Sequence, residues 1–363
     1  MDRRRFLGGL AILAAGPARG QETRPFRLGV TRWPPELSLS GLARVEAFLR
    51  AHCDMAAPMV LGGVPWEASL DGSDYSWALR NELNWKAPSG YPVCLSLGPL
   101  STMRDGFAPL YATTDNQPVP DWMAGLPFDD PRIIDRYAAF CINAARAMRP
   151  DWLMIGVEVN LLLHNRPELW PGYLRLHSET LRRVRTALPD QKLGFTIAAL
   201  HYLGLADGTD PAVQRAEMLA LADGADIVGW SVYPHTSWEV TLPLAPDFFD
   251  FITDFGQTTG KPVCISESGM TDRRVWIGLI PLWGSPEAQR QVVETLLAAA
   301  RNGRWEFVVN WTSHDYPVLL EMFPAEFYEL GQIWVHTGLA HPDGRAKPAL
   351  EVWDAALARP FGR

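Results

Sequence analysis

The 363-residue sequence contains only four cysteines, and none lies in a CxxC pair or another metal-ligand spacing. Cys94 and Cys264 fall within apolar, strand-like runs, and Cys141 falls on the apolar face of a predicted helix. Buried free thiols are therefore expected. A disulfide between Cys53 and Cys94 remains open for a protein of an oxidising compartment.

Basic charge is also scarce, since 33 Lys and Arg residues face 41 Asp and Glu residues, a formal net charge of −8. Without a basic surface, nucleic acid is not an expected partner. A glycine-rich phosphate turn is missing after the first predicted strand, where the sequence reads TRWPP. A serine in a nucleophile elbow and histidines spaced for zinc are missing too, so we expect no metal and no cofactor.

The N-terminal apolar run, residues 7–15, is too short to span a bilayer. It follows the order RRRFL at residues 3–7 and precedes the small residues Ala18 and Gly20. We interpret residues 1–20 as a twin-arginine export signal and residues 21–363 as the mature chain, located in the periplasm or secreted. An uncleaved N-terminal anchor is the alternative, and no membrane span is expected in the mature chain.

From residue 21 onward, short apolar strands alternate with amphipathic helices. The eight predicted strands cover residues 26–30, 59–62, 93–97, 152–157, 193–198, 227–231, 263–266 and 307–310. Such strands indicate a parallel sheet buried on both faces, and we predict a single (β/α)₈ TIM barrel. An open doubly wound sheet is the competing architecture. The aromatic-rich loop 101–129 after strand three is predicted to be an inserted wall of a cleft.

Functional residues of a barrel lie just beyond the carboxyl ends of its strands. Glu158 and Glu267 hold this position after predicted strands four and seven, and two such carboxyl groups are what glycosidic bond cleavage requires. Asn160 is expected to share the side of Glu158 by strand alternation. The substrate-binding residues predicted at the strand ends are Trp33, Trp66, Asn160, His201, Tyr233, His235, Trp311 and Asp315.

The segments MIGVEVN, WSVYP, ISESG and VVNWTS resemble the corresponding strand ends of clan A glycoside hydrolases. GWSVYP and ISESG look closest to the endo-β-1,4-galactanases of family 53. The resemblance implies that Glu158 is the acid/base, Glu267 the nucleophile, Tyr233 a hydrogen-bond donor to the nucleophile and Trp311 the floor of the −1 subsite. One departure is Val157, which stands where most of the clan has asparagine.

These features predict a secreted, retaining endo-β-glycosidase that hydrolyses a plant or microbial polysaccharide by double displacement. We expect a monomer whose partner is a polysaccharide or oligosaccharide substrate. The alternative, motivated by Val157, is a catalytically degenerate carbohydrate-binding barrel in exopolysaccharide processing. A scaffold protein is a third hypothesis, and it would expose an open apolar patch instead of a tryptophan-lined groove.

Overall fold

The structure is a computed structural model that describes residues 22–206, 208–323 and 325–362. The predicted export signal, residues 1–20, lies outside these described residues and stays a prediction. Within the described residues, no helix is both long enough and apolar enough to cross a membrane.

Seven parallel strands form a curled sheet in the spatial order β1-β9-β6-β5-β4-β3-β2, and a separate antiparallel hairpin pairs β7 with β8. The strands are β1 (Arg27–Thr31), β2 (Cys94–Ser96), β3 (Trp152–Met154), β4 (Lys192–Ala198), β5 (Ile227–Val232), β6 (Val263–Ser268), β7 (Val275–Ile277), β8 (Ile280–Leu282) and β9 (Phe307–Thr312).

An extended segment closes the barrel between β1 and β2. The Met55 N–H donates to the Leu28 carbonyl on one side at 3.2 Å, and the Val60 N–H donates to the Ser96 carbonyl on the other at 3.1 Å. The segment that takes the place of the second strand therefore begins a few residues before the predicted range of 59–62. It pairs with its neighbours only through isolated bridges. Pro58 offers no N–H to a ladder, so this segment cannot pair regularly. The predicted single (β/α)₈ barrel is confirmed.

Helices connect the strands and cover the outside of the barrel. They are α1 (Leu39–His52), α2 (Trp77–Leu83), α3 (Pro131–Met148), α4 (Asn160–Asn165), α5 (Trp170–Ala187), α6 (Ala199–Leu203), α7 (Pro211–Ala222), α8 (Asp250–Thr259), α9 (Pro286–Gly303), α10 (Pro317–Leu320), α11 (Ala325–Gly331) and α12 (Pro348–Leu357), with short 3₁₀ turns at Asp121–Met123, Pro167–Leu169 and Pro234–Thr236.

Helix α3 shows how local sequence sets these elements. It begins with a proline in its first turn, and the side chain of Asp130 caps it by accepting a hydrogen bond from the Arg132 N–H. It ends at Arg149, which adopts a left-handed conformation. Residues Ile134, Tyr137 and Cys141 lie on its buried face, which packs against the barrel.

The four cysteines are all buried and free, so the disulfide considered between Cys53 and Cys94 is not formed. The inserted loop 101–129 packs on the barrel through aromatic rings: the ring centroids of Phe107 and Phe128 are 4.3 Å apart, and Phe107 also meets Trp66 at 5.9 Å. The loop is thereby held at the carboxyl ends of the strands, beside the cavity described next.

Candidate active site

A cavity of about 500 Å³ opens at the carboxyl ends of the barrel strands. Glu158 and Glu267 both line it, and Trp33 and Trp311 form part of its wall. The predicted pair of glutamates, separated by more than a hundred residues in the chain, therefore shares one pocket.

Glu267 projects from strand β6. It is the fifth residue of β6, it is 8% exposed, and it lies in register with Ser231 of the neighbouring strand β5. Trp230 pairs with Ile265 and Ser231 with Glu267, so Ser266 is an extra residue of β6 just before the glutamate. Such irregularities re-aim side chains near active sites.

Glu158 is held differently, because β3 ends at Met154 and the chain turns before it reaches the glutamate. Glu158 has a φ of 51°, a left-handed conformation that is unfavourable for a non-glycine residue. Its N–H donates to the Thr196 hydroxyl of β4 at 2.8 Å, which anchors the turn to the barrel. Strain of this kind is concentrated at functional sites.

The Ser231 hydroxyl joins the two glutamates. Its oxygen lies 2.6 Å from Oε1 of Glu158, to which it donates, and 3.4 Å from Oε1 of Glu267. These two distances require the carboxylate oxygens to be no more than about 6 Å apart. Retaining glycosidases separate their carboxyl groups by about 5–5.5 Å, and inverting enzymes by about 6.5–9.5 Å.

Arg104 completes what we call the catalytic cluster, consisting of Glu158, Glu267 and Arg104. Its guanidinium donates to Oε2 of Glu158 at 3.1 Å and to the Val157 carbonyl at 3.0 Å. The arginine is located in the inserted loop, so that loop supplies a charge to the site as well as a wall.

Burial raises the pKa of Glu267 well above its usual range, and the charge of Glu158 raises it further. Tyr233, Arg104 and Ser231 oppose this rise, but they do not cancel it. Two interacting carboxyl groups titrate as a pair, so near neutral pH the pair retains about one proton. A pair that holds one proton can supply both an acid and an anionic nucleophile.

Trp33 and Trp334 line the cavity, whereas Tyr233 lies outside its lining. Among the described residues, the buried indole N–H groups of Trp33 and Trp334 have no hydrogen-bond partner, and neither does the buried Tyr233 hydroxyl. The Tyr233 hydroxyl nevertheless lies close enough to the Glu267 carboxyl to lower its pKa. The Trp311 indole donates to the Tyr316 hydroxyl at 3.2 Å, which fixes the ring in the cavity wall.

Several predicted substrate-binding residues do not line the cavity. Asn160 is fully buried at the start of α4, where its amide group bonds to the backbone of Ala198 and to Gln214. The expectation that strand alternation places it beside Glu158 was wrong, because the chain leaves the strand at Met154. Trp66 is also fully buried and donates to the Ala108 carbonyl.

The predicted histidines lie outside the cavity lining as well. His235 is buried and bonds to the Ile333 carbonyl at 2.9 Å. His201 is half-buried beside His164, with ring centroids 5.1 Å apart. Burial lowers the pKa of both His201 and His235 to about 4, so both rings are neutral at pH 7.

Asp315 belongs to a second group, the lysine cluster, consisting of Asp272, Asp315 and Lys347. The Lys347 ammonium lies 2.7 Å from Asp315 and 3.1 Å from Asp272, and all three side chains are almost completely buried. Asp272, Asp315 and His341 also lie close enough together to share a metal ion. Lys347 and Arg273, whose guanidinium lies 2.7 Å from Asp272, together balance the two aspartate charges, and none of the three cluster residues lines the cavity.

Sequence reasoning missed Arg104, Ser231 and Glu82. Ser231 could have been found, because it precedes Tyr233 by two residues and shares its side of the strand. Arg104 lies in an irregular loop that carries no periodic signal. Glu82 is half-buried in the cavity wall, where burial raises its pKa to about 7 while the Tyr111 hydroxyl donates to it.

Comparison of the sequence finds no matching family model and no matching curated protein. The fold is similar to that of solved glycoside hydrolases. The exo-β-1,4-mannosidase Op5Man5 from Opitutaceae bacterium strain TAV5 has 16% identity and a TM-score of 0.61, covering 92% of this chain and 59% of that one. This chain thus spans less than two thirds of that protein.

Two further structures match over most of both chains. The GH53 catalytic domain of Ignisphaera aggregans has 16% identity and a TM-score of 0.58, covering 94% of this chain and 98% of that one. The GH5_18 protein of Streptomyces cattleya, solved with GlcNAc, has 15% identity and a TM-score of 0.62, covering 94% and 83%. The likeness in fold to clan A glycoside hydrolases, expected from four short segments, is therefore confirmed.

Proposed function

We propose that this protein is a retaining β-glycosidase that hydrolyses a polysaccharide or oligosaccharide. The observation that carries the proposal is the Ser231 hydroxyl, which lies within reach of both Glu158 and Glu267. The resulting limit of about 6 Å between the two oxygens supports a retaining pair over an inverting one. The fold supports the same reaction class by analogy.

In the proposed reaction, the Glu267 carboxylate attacks the anomeric carbon while Glu158 gives its proton to the leaving glycosidic oxygen. A covalent glycosyl-enzyme forms and the leaving sugar departs as an alcohol. Glu158, now ionised, takes a proton from water, and that water attacks the anomeric carbon. The bond to Glu267 breaks, the carboxylate is regenerated, and the product keeps the β configuration.

The substrate class follows from the site and from the resemblance. Flat aromatic walls at Trp33 and Trp311 suit the apolar faces of sugar rings. One similar structure is described as an exo-β-1,4-mannosidase, which supports a β-linked hexose substrate of plant or microbial origin. We further propose endo action and export to the periplasm or medium, which product lengths and cell fractionation would test.

The central experiment incubates the purified protein with β-galactan, β-mannan, β-glucan and bacterial exopolysaccharides, and follows products by mass spectrometry and anomeric NMR. We expect oligosaccharides that are first released in the β configuration. Products first released in the α configuration would contradict the retaining mechanism.

The Glu158→Ala variant tests the acid/base role. Its turnover of an aryl glycoside with an activated leaving group should rise when azide is added, because azide needs no general base to attack the glycosyl-enzyme. A β-glycosyl azide should accumulate. An azide-insensitive variant with wild-type rates would exclude this role for Glu158.

One observation favours a second function, a carbohydrate-binding barrel that does not cleave its ligand. Neither Val157 nor the buried Asn160 offers an amide to the cavity, so the sugar contact that the clan makes from this position is not supplied by these residues. Oligosaccharide binding by calorimetry without any product after prolonged incubation would favour this function.

A further inference from the structure

We propose that Arg104 is a positioning residue that holds Glu158 as an oriented anion and so favours its action as the general base in the second half of the reaction. The inference rests on the proposed glycosidase function and deepens it, since it assigns the inserted loop a part in catalysis.

Four contacts of its guanidinium fix the position of Arg104. It donates to the carbonyls of Ser101 at 2.8 Å and Thr102 at 3.1 Å in its own loop, and to the Val157 carbonyl and the Glu158 carboxylate in the turn after β3. Its backbone is left-handed, with a φ of 55°, and its side chain is only 13% exposed. The loop therefore presents a rigid cation to the turn that carries Glu158.

The remaining groups that face Glu158 carry little positive charge. Glu267 approaches from β6, Tyr233 follows β5, and His201 lies in α6. Burial raises the pKa of Tyr233 well above its ordinary value and lowers that of His201, so both are neutral at pH 7. Tyr173, which faces Arg104, is also neutral because burial raises its pKa. Among the described groups that face Glu158, Arg104 is thus the one that carries a positive charge at pH 7.

A cation beside a carboxyl group favours the ionised form. In the first half of the reaction Glu158 must give up a proton, and in the second half it must begin as an anion. During the second half Glu267 is bound to the sugar as an uncharged ester, so the charge of Arg104 acts on Glu158 alone. Removing Arg104 should therefore slow hydrolysis of the glycosyl-enzyme more than its formation.

The direct test needs no turnover. Protein labelled with ¹³C at the glutamate carboxyl carbon is titrated by NMR as wild type, Arg104→Gln and Arg104→Lys, with Glu158→Gln and Glu267→Gln spectra to assign the signals. In Arg104→Gln the apparent pKa values of the pair should rise by about one unit or more, because a neighbouring cation is lost. Arg104→Lys should retain most of the wild-type values. Titration curves of Arg104→Gln that match the wild type would overturn the proposal.

Arg166→Gln is the matched control. Arg166 also holds the loop, donating to the Asp105 carbonyl at 3.3 Å, but its charge pairs with Glu168 at the surface. This variant removes a tether of the same loop and an equal charge, so the carboxyl titration should stay as in the wild type. A shift of the same size in Arg166→Gln would show that loop position, not the Arg104 charge, is responsible. Thermal unfolding checks that each variant is folded.

Kinetics then separate positioning from substrate binding. With a 2,4-dinitrophenyl β-glycoside of the sugar that the wild type cleaves, Arg104→Gln should lower kcat about tenfold, lower KM, and show a burst of dinitrophenol as the glycosyl-enzyme accumulates. A raised KM with unchanged kcat would make Arg104 a substrate contact and overturn the proposal. If the wild type cleaves no glycoside, the proposed function fails, while the NMR titration still decides whether Arg104 sets the charge of the pair.

Discussion

The catalytic cluster and the lysine cluster both bury carboxylates at the carboxyl ends of barrel strands, but they balance charge differently. In the lysine cluster one ammonium contacts both aspartates. In the catalytic cluster the arginine pairs with Glu158, whereas Glu267 has no ion pair within the described part of the chain. An incompletely paired buried carboxylate costs stability. The comparison therefore separates a cluster whose buried carboxylates are both paired with cations from one that leaves a buried carboxyl group without an ion pair.

The two clusters also respond to pH in opposite directions. Burial by itself would raise the pKa of Asp272, but the hydrogen bond from Arg273 and the charge of Lys347 bring it below its usual value. Burial and the charge of Glu158 raise the pKa of Glu267. Ionised Asp272 thus favours folding, whereas Glu267 favours folding when it is protonated.

The largest expected effect is on activity, in Glu267→Gln. Loss of the proposed nucleophile should reduce turnover at least about a thousandfold. The fold should persist, because the amide replaces a carboxyl group whose charge is unfavourable in this position. Initial rates would check the loss of turnover, and thermal unfolding of the same preparation would check that the fold is retained. A fully active variant would show that Glu267 is not the nucleophile.

The second effect is on stability, in Lys347→Met. This change leaves two buried aspartates without their shared cation, and it should lower the free energy of unfolding by about 3–5 kcal/mol. Urea unfolding would measure the loss. KM at a temperature where the variant is folded should match the wild type, and a large rise in KM would place the lysine cluster in substrate binding after all.

The smallest effect concerns pH and stability. As pH rises from below the unfolded pKa of Glu267, near 4.5, through its raised folded pKa, the folded state loses stability because the buried carboxyl group must ionise. We expect a loss on the order of 1–3 kcal/mol in the wild type. Unfolding curves of Glu267→Gln should lack most of this loss. If the free energy of unfolding falls equally with pH in the wild type and in Glu267→Gln, Glu267 is not the group that titrates.

Much of the fold could be predicted because it depends on local patterns. The apolar stripe of residues 134–145 predicts a helix over about 131–148, and the structure has Pro131–Met148. Glu267 was placed correctly because it lies near the carboxyl end of strand β6, where a barrel carries its functional residues. Asn160 was placed incorrectly because strand alternation was applied beyond the end of β3, in a turn and a helix.

Residues with similar positions in the sequence differ in whether they line the cavity or lie in the core. Trp33 and Trp66 both follow predicted strands, yet Trp33 lines the cavity and Trp66 lies in the core. Asp315 follows a strand as well, but Lys347, 32 positions later in the chain, determines its role. Side chains at the end of a strand can turn toward the cavity or toward the packing beneath it, and neighbours from distant parts of the chain decide between the two.

The sequence by itself determined the barrel, the two strand-end glutamates and most of the helices, because hydrophobic periodicity and capping act over a few residues. Only the tertiary structure decided that Ser231 lies between the glutamates, that the inserted loop brings Arg104 to Glu158, and that Lys347 neutralises Asp315. Those contacts join residues up to 73 positions apart. Their geometry depends on how the strands curl and on which side chains are enclosed, and no local pattern in the chain encodes that.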